Sequence, residues 1–146
     1  MRAYEERWVA PVSVWLGVLA VALVVAATLH AGADGARAVV PYVVLPLLAV
    51  AGLLRASRGG VRVEQGVLQV PGGRIALAEL GGVRALDRQA TRLARGPLAQ
   101  PRAFVATRSW LGASVQVQIE DPDDDTPYWL IGTRHPERLA EVLRAR

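Results

Sequence analysis

Residues 11–31 read PVSVWLGVLAVALVVAATLHA, and no charged side chain occurs from Trp8 to Ala33. A helix rising about 1.5 Å per residue needs about 20 such residues to cross ~30 Å of hydrocarbon. Only Ser13, Thr28 and His30 interrupt the apolar stretch. Pro11 suits the first turn of a helix, where the N–H it lacks would have no partner. Trp8 stands where an aromatic belt would lie. A second uncharged run, Ala38 to Leu54, follows the polar turn Gly32-Ala33-Asp34-Gly35-Ala36-Arg37. Pro41 falls near its start, and Pro46 predicts a kink that a neighbouring helix tolerates by satisfying the freed carbonyl. So short a turn makes the two runs antiparallel neighbours. The reading is a transmembrane α-helical hairpin over about residues 11–31 and 38–54.

Working outward, Arg2 and Arg7 precede the first span and Arg55, Arg58 and Arg62 follow the second, while Arg37 alone lies in the turn. Positively charged flanks stay inside, so both termini are expected in the cytoplasm, with the hairpin crossing the cell membrane twice. A cleaved signal peptide is the competing reading, because Ala31-Gly32-Ala33 resembles a cleavage site. The apolar run is too long for a signal core, and Glu5 and Glu6 spoil the leader. Ala22 with Ala26, and Gly52 with Ala56, are spaced for close helix packing. His30 lies near the outer end of its span and is read as interfacial rather than as a proton relay.

The chain has no cysteine, which excludes disulfides, thiolate metal sites and cysteine nucleophiles. All 17 basic residues are arginine. The pI of about 10.6 comes with no nucleic-acid-binding motif. We expect no nucleic-acid partner and no cofactor.

After Arg55 short alternating segments are broken by glycine: Val61–Glu64, Val67–Val70, Arg74–Leu77 and Val83–Leu86. Asp87 to Arg95 reads as a helix, capped by Asp87 and stopped at Gly96-Pro97. Strands resume at Ala103–Thr107, Ser114–Glu120 and Tyr128–Thr133. In the middle one Val115, Val117 and Ile119 share a face. A last helix opens at Pro136 with Leu139, Val142 and Leu143 as its apolar stripe. Seven strands and a C-terminal helix predict a small mostly-β domain over residues 57–146, after a membrane segment over 1–56. That order is similar to the pleckstrin-homology-like plan, in which a helix plugs one end of a two-sheet barrel; another small β-barrel or α+β domain is the alternative.

Three stretches carry a resemblance over nearly the whole chain. They are Tyr4-Glu5-Glu6-Arg7-Trp8-Val9 with Pro11 and Trp15; Ala85-Leu86-Asp87 with Ala90-Thr91-Arg92, Gly96 and Ala103-Phe104; and Asp121-Pro122 with Asp125 to Leu130 and Thr133-Arg134-His135-Pro136. The chain resembles the actinobacterial membrane proteins grouped as domain of unknown function 3093. The resemblance implies a two-span membrane protein and no particular activity.

Arg88, Arg92 and Arg95 fall on one helical face. Near a bilayer they are candidates, with Arg55 and Arg58, for contact with anionic headgroups; a solvated face is the plain alternative. Trp110, Thr126, Tyr128 and Trp129 form a candidate partner-binding patch, because Tyr128 and Trp129 point to opposite faces of one strand and one of them is expected to be exposed. Asp121, Asp123 and Asp125 alternate like the start of a calcium loop, but Thr126 and Gly132 stand where glycine and glutamate belong, so an acidic hairpin turn is the better reading. No phosphate loop, metal-spaced histidine pair or nucleophile motif occurs, and we expect no enzyme. The expectation is a membrane-anchored interaction module whose β domain binds a protein partner or the inner leaflet. The alternative is an accessory subunit or oligomeric pore in which the hairpin itself acts.

Overall fold

The computed structural model describes residues 2–32 and 34–145; Met1, Ala33 in the turn between the apolar runs, and Arg146 lie outside the described residues. The chain divides into two compact units. One is Val9–Arg58; the other joins the residues up to Trp8 to those from Gly59 onward.

The first unit is a pair of helices, α1 (Val12–His30) and α2 (Ala36–Ala56). Both are long and apolar enough to cross a membrane. α2 starts two residues before the expected span and, like it, contains both Pro41 and Pro46. Ala22 and Ala26 of α1 and Ala38 of α2 are buried. The Ala22/Ala26 spacing thus does pack. Gly52 does not: it is exposed, with open space around it. At the turn end, His30 Nδ1 lies 3.2 Å from the Ala38 carbonyl, and its ring meets Tyr42 edge-on with centroids 5.8 Å apart. Leu53 is buried as well, but many large apolar side chains of both helices face outward; Val12 is 72% exposed and Leu47 63%.

Among the described residues the second unit holds eight strands, not the expected seven. Arg2–Arg7, which the sequence reading grouped with the membrane segment, is strand β1. It pairs antiparallel with β2 (Gly60–Glu64), with Arg7 opposite Gly60 and Tyr4 opposite Val63. The strand was hidden because charged residues dominate it, while its partner lies beyond both helices. Two local features hold the pairing. A Cβ at Gly60 would collide with the Glu6 carbonyl, so only glycine permits this approach. Arg62 also donates to the Glu5 carboxylate across the strands at 3.0 Å.

β3 (Val67–Val70) and β4 (Gly73–Ala76) complete an antiparallel sheet of order β1-β2-β3-β4. The β2–β3 turn is Gln65-Gly66, both at positive φ, as a tight two-residue hairpin loop requires. The second sheet has order β5-β7-β8-β6, from β5 (Leu80–Leu86), β6 (Phe104–Ala106), β7 (Ala113–Ile119) and β8 (Tyr128–Thr133). A single 3₁₀ turn, Leu77–Glu79, links the sheets. One pairing differs from the antiparallel rest: β6 runs parallel to β8. The long excursion from β5 through α3 (Arg88–Arg95) brings the chain back at the far edge, and β8 then inserts between β6 and β7.

Both sheets and α4 (Pro136–Arg144) share one core. Trp8, Val61, Val63 and Leu68 enter it from the first sheet's side, and Val115, Val117 and Ile131 from the second. Leu139, Ala140 and Leu143 of α4 are fully buried against them. Ile119, at the end of β7, is only partly buried.

Because Trp8 N–H donates to the Gly59 carbonyl at 3.1 Å, the ends of the excursion 9–58 are already neighbours. Replacing 9–58 by an Asn-Gly turn should therefore give a cooperatively folding β unit. A fragment of residues 57–146 alone, lacking Tyr4 and Trp8, should be less stable by roughly 3–5 kcal/mol, the cost of losing a large core side chain. Thermal melts with amide NMR spectra of the two proteins provide the comparison.

Candidate functional site

The face predicted on α3 forms as the spacing requires. Asp87 caps the helix by accepting from the Ala90 N–H at 2.7 Å. The buried Thr91 hydroxyl meets the Ser114 hydroxyl at 2.9 Å and fixes the helix on β7. Arg88, Arg92 and Arg95 are all exposed, and the Arg88 guanidinium lies over Gly112, where a Cβ would be 2.8 Å from its Nε. Arg55 and Arg58 belong to the helix-pair unit and are exposed at and just past the end of α2.

The aromatic patch does not form as expected. Tyr128 and Trp129 are both buried, at 7% exposure. Trp129 enters the shared core, its ring 4.6 Å from that of Phe104. Tyr128 packs with Leu86 and Leu130 on the opposite face. The physical reason is that α3 covers part of the second sheet's outer face, so both faces of β8 are enclosed. Trp110 is partly buried against the core, and Thr126 is half-buried in the acidic turn. These four residues make no open aromatic groove.

In that turn the carboxylates cap backbone: Asp121 accepts from the Asp123 N–H and Asp124 from the Thr126 N–H, each at 2.9 Å. Hydrogen bonds from the Thr126 side chain and backbone hold the Asp124 carboxyl below its ordinary range. Among the described residues no group of three His, Asp or Glu is placed to hold a metal ion.

A polar node missed by the sequence reading ties β1 to the β8–α4 corner. The Glu6 carboxylate accepts from the Tyr4 hydroxyl at 2.6 Å, from the Arg134 N–H at 2.8 Å and from the Thr133 hydroxyl. The His135 N–H in turn donates to Thr133 Oγ1 at 3.0 Å. A cleft of about 430 Å³ opens beside it, lined by Ala3, Glu5, His135 and Arg138 as well as Tyr4 and Glu6. Two of the stretches that carry the family resemblance meet here, which was the available clue.

The site and fold together define a β-rich unit, ending in a helix, with a pair of long apolar helices inserted between its first two strands. The chain belongs to the family described as Protein of unknown function (DUF3093), whose model matches residues 3–143. No curated protein and no solved structure matches it.

Burial first, and then the bond to Glu6, push the Tyr4 phenol up from 10.0 to about 12. The unfolded chain releases this proton near its ordinary value while the folded chain retains it. Tyr4 therefore contributes fully to stability below pH ~10 and loses that contribution as pH rises toward about 12. Melting temperatures of the full chain in mild detergent should fall through this window. Tyr4→Phe should flatten that decline.

Proposed function

We propose that the chain is a membrane-anchored interaction module whose β unit works at the inner leaflet. The observation that carries this reading is the insertion of two long, outward-facing apolar helices into the β1–β2 connection. Only Val9 to Pro11 join Trp8 to α1, and only Ser57 and Arg58 join α2 to Gly59. Such short connectors tether the β unit to the bilayer at two points. The arginine asymmetry around the spans supports a topology with both termini in the cytoplasm, where the leaflet is anionic.

Between a protein partner and the leaflet, the side chains favour the leaflet. Of the aromatics proposed for a partner, Tyr128 and Trp129 are buried and Trp110 is partly so, whereas Arg88, Arg92 and Arg95 present a cationic face. The alternative in which the hairpin itself acts has less support, because His30 is engaged with the Ala38 carbonyl and with the Tyr42 ring.

The β unit is read as a variant of the pleckstrin-homology-like plan. With α3 and β6 set aside, β1 to β4 form one meander and β5, β7 and β8 another, followed by the closing helix α4. The spans then occupy the β1–β2 loop, and α3 with β6 the next loop of the second sheet.

Two measurements test the proposal. A reporter active only in the cytoplasm should give signal when fused after Arg146 and none when inserted within residues 34–36; the reverse pattern would refute the orientation. In lipid nanodiscs, amides of α3 should be protected from hydrogen exchange with anionic lipid and not with neutral lipid. Changing Arg88, Arg92 and Arg95 to Gln should remove roughly 3 kcal/mol of attraction, an additive upper figure. Raising salt should do the same, since charges are screened over about 8 Å at physiological ionic strength. Protection equal on both lipids would leave the arginines as a solvated face.

A further inference from the structure

The flank of α3 away from its arginines borders a groove. This cleft of about 330 Å³ runs between the helix and the part of the second sheet's outer face that α3 leaves uncovered. Leu86, Leu93, Leu98, the Tyr128 ring and the small side chains Ala90 and Ala94 make its apolar lining. Its polar lining is Arg84 with Gln100 and Gln116, and Arg84 and Gln116 are opposed across β5 and β7. No acidic residue lines it.

Exposure marks this place independently. Among the described residues of the β unit, Leu93, Leu98 and Val105 are the large apolar side chains left exposed. Two of the three border the groove, Leu93 at 42% and Leu98 at 66% exposure. Scattered single exposures are ordinary, but apolar exposures gathered around a concave surface mark a binding site.

We propose that this groove binds a single-chain fatty carboxylate drawn from the bilayer. The chain lies along Leu86, Leu93, Leu98 and Tyr128, and the carboxylate meets the Arg84 guanidinium with the Gln100 and Gln116 amides as further donors. Three considerations select this occupant. The single charge on the lining is a fixed cation, which excludes a cationic ligand and suits a planar carboxylate. Leu86, Ala90, Leu93, Ala94, Leu98 and Tyr128 gather beside these polar groups, which suits a ligand with an apolar body. The volume sits at the low end of ligand clefts, which suits one acyl chain rather than two. Supply from the membrane rests on the anchoring proposed above.

The test uses the full chain in phosphatidylcholine nanodiscs with a photoactivatable palmitic acid, and maps the labelled peptides. Label is expected on residues 86–98 and around Tyr128, and unlabelled palmitate should compete it away. Arg84→Glu, at an exposed position, should lower groove labelling roughly tenfold or more, the scale of losing a charge-assisted hydrogen bond. Ala94→Trp should block the groove by filling it; if that variant fails to fold, Arg84→Glu still decides. Equal labelling of the groove by the corresponding fatty alcohol, or by a two-chain phosphatidylcholine probe, would overturn the proposal. Label confined to residues 12–56 would overturn it and leave membrane anchoring intact. Label absent from those helices as well would overturn both.

Discussion

The antiparallel register of β1 on β2 is the constraint on which the other parts of the β unit rest. Neighbouring strands lie about 4.8 Å apart, and the ladder runs to its last rung at Trp8 and Gly59. Both ends of a long excursion are thereby pinned one strand spacing apart. The same ladder delivers Trp8, fully buried, into the core, with the Arg108 guanidinium 5.6 Å from its ring centroid. It also brings Tyr4 beside Val63 and sets Glu6 within reach of β8 and the start of α4. Lose the register, and the core loses its largest fully buried side chain together with the polar link between the first strand and the last helix.

That link extends the constraint across the molecule. Glu6 gathers donors from its own strand, from β8 and from the backbone just before α4, so the closing helix is tied to the strand that leads into α1. Each participating group satisfies another, which is the condition for a partly buried polar network to stabilise rather than penalise a fold. On the opposite side of the second sheet, Thr91 and Ser114 perform a similar task for α3. Because α3 is short, it covers Leu86, Ser114 and Leu130 but leaves the strip around Arg84 and Gln116 open. The groove follows from that shortness.

Much of this architecture was legible in the residues, for identifiable reasons. The apolar run 11–31 allowed no other long element, and the glycine-punctuated alternation from Val61 onward marked β2 to β5. Asp87 announced the start of α3, and Pro136 that of α4. Four features were not legible. β1 carries too much charge to look like a strand, and its partner is distant. The parallel placement of β6 depends on where a loop returns, which periodicity does not encode. The burial of both Tyr128 and Trp129 depends on α3 lying over the outer face of the second sheet, a contact between distant segments that strand periodicity does not encode. Glu6 finds Thr133 across a separation of 127 residues, and one of its donors is a backbone N–H, so no side-chain motif betrays it. The α3 arginines, by contrast, depend only on helical spacing, and they stand where that spacing puts them.

The placement of the helix pair between two paired strands has a consequence for biosynthesis. β1 leaves the ribosome before β2, and its partner is made only after about 50 further residues, a delay of roughly 3–10 s at 5–20 residues per second. Throughout that time a strand edge carrying Tyr4 and Trp8 waits without its ladder. Unpaired edges invite association with other chains, and charge along the strand is one protection against it. Arg2, Glu5, Glu6 and Arg7, the residues that disguise β1 in the sequence, supply that charge.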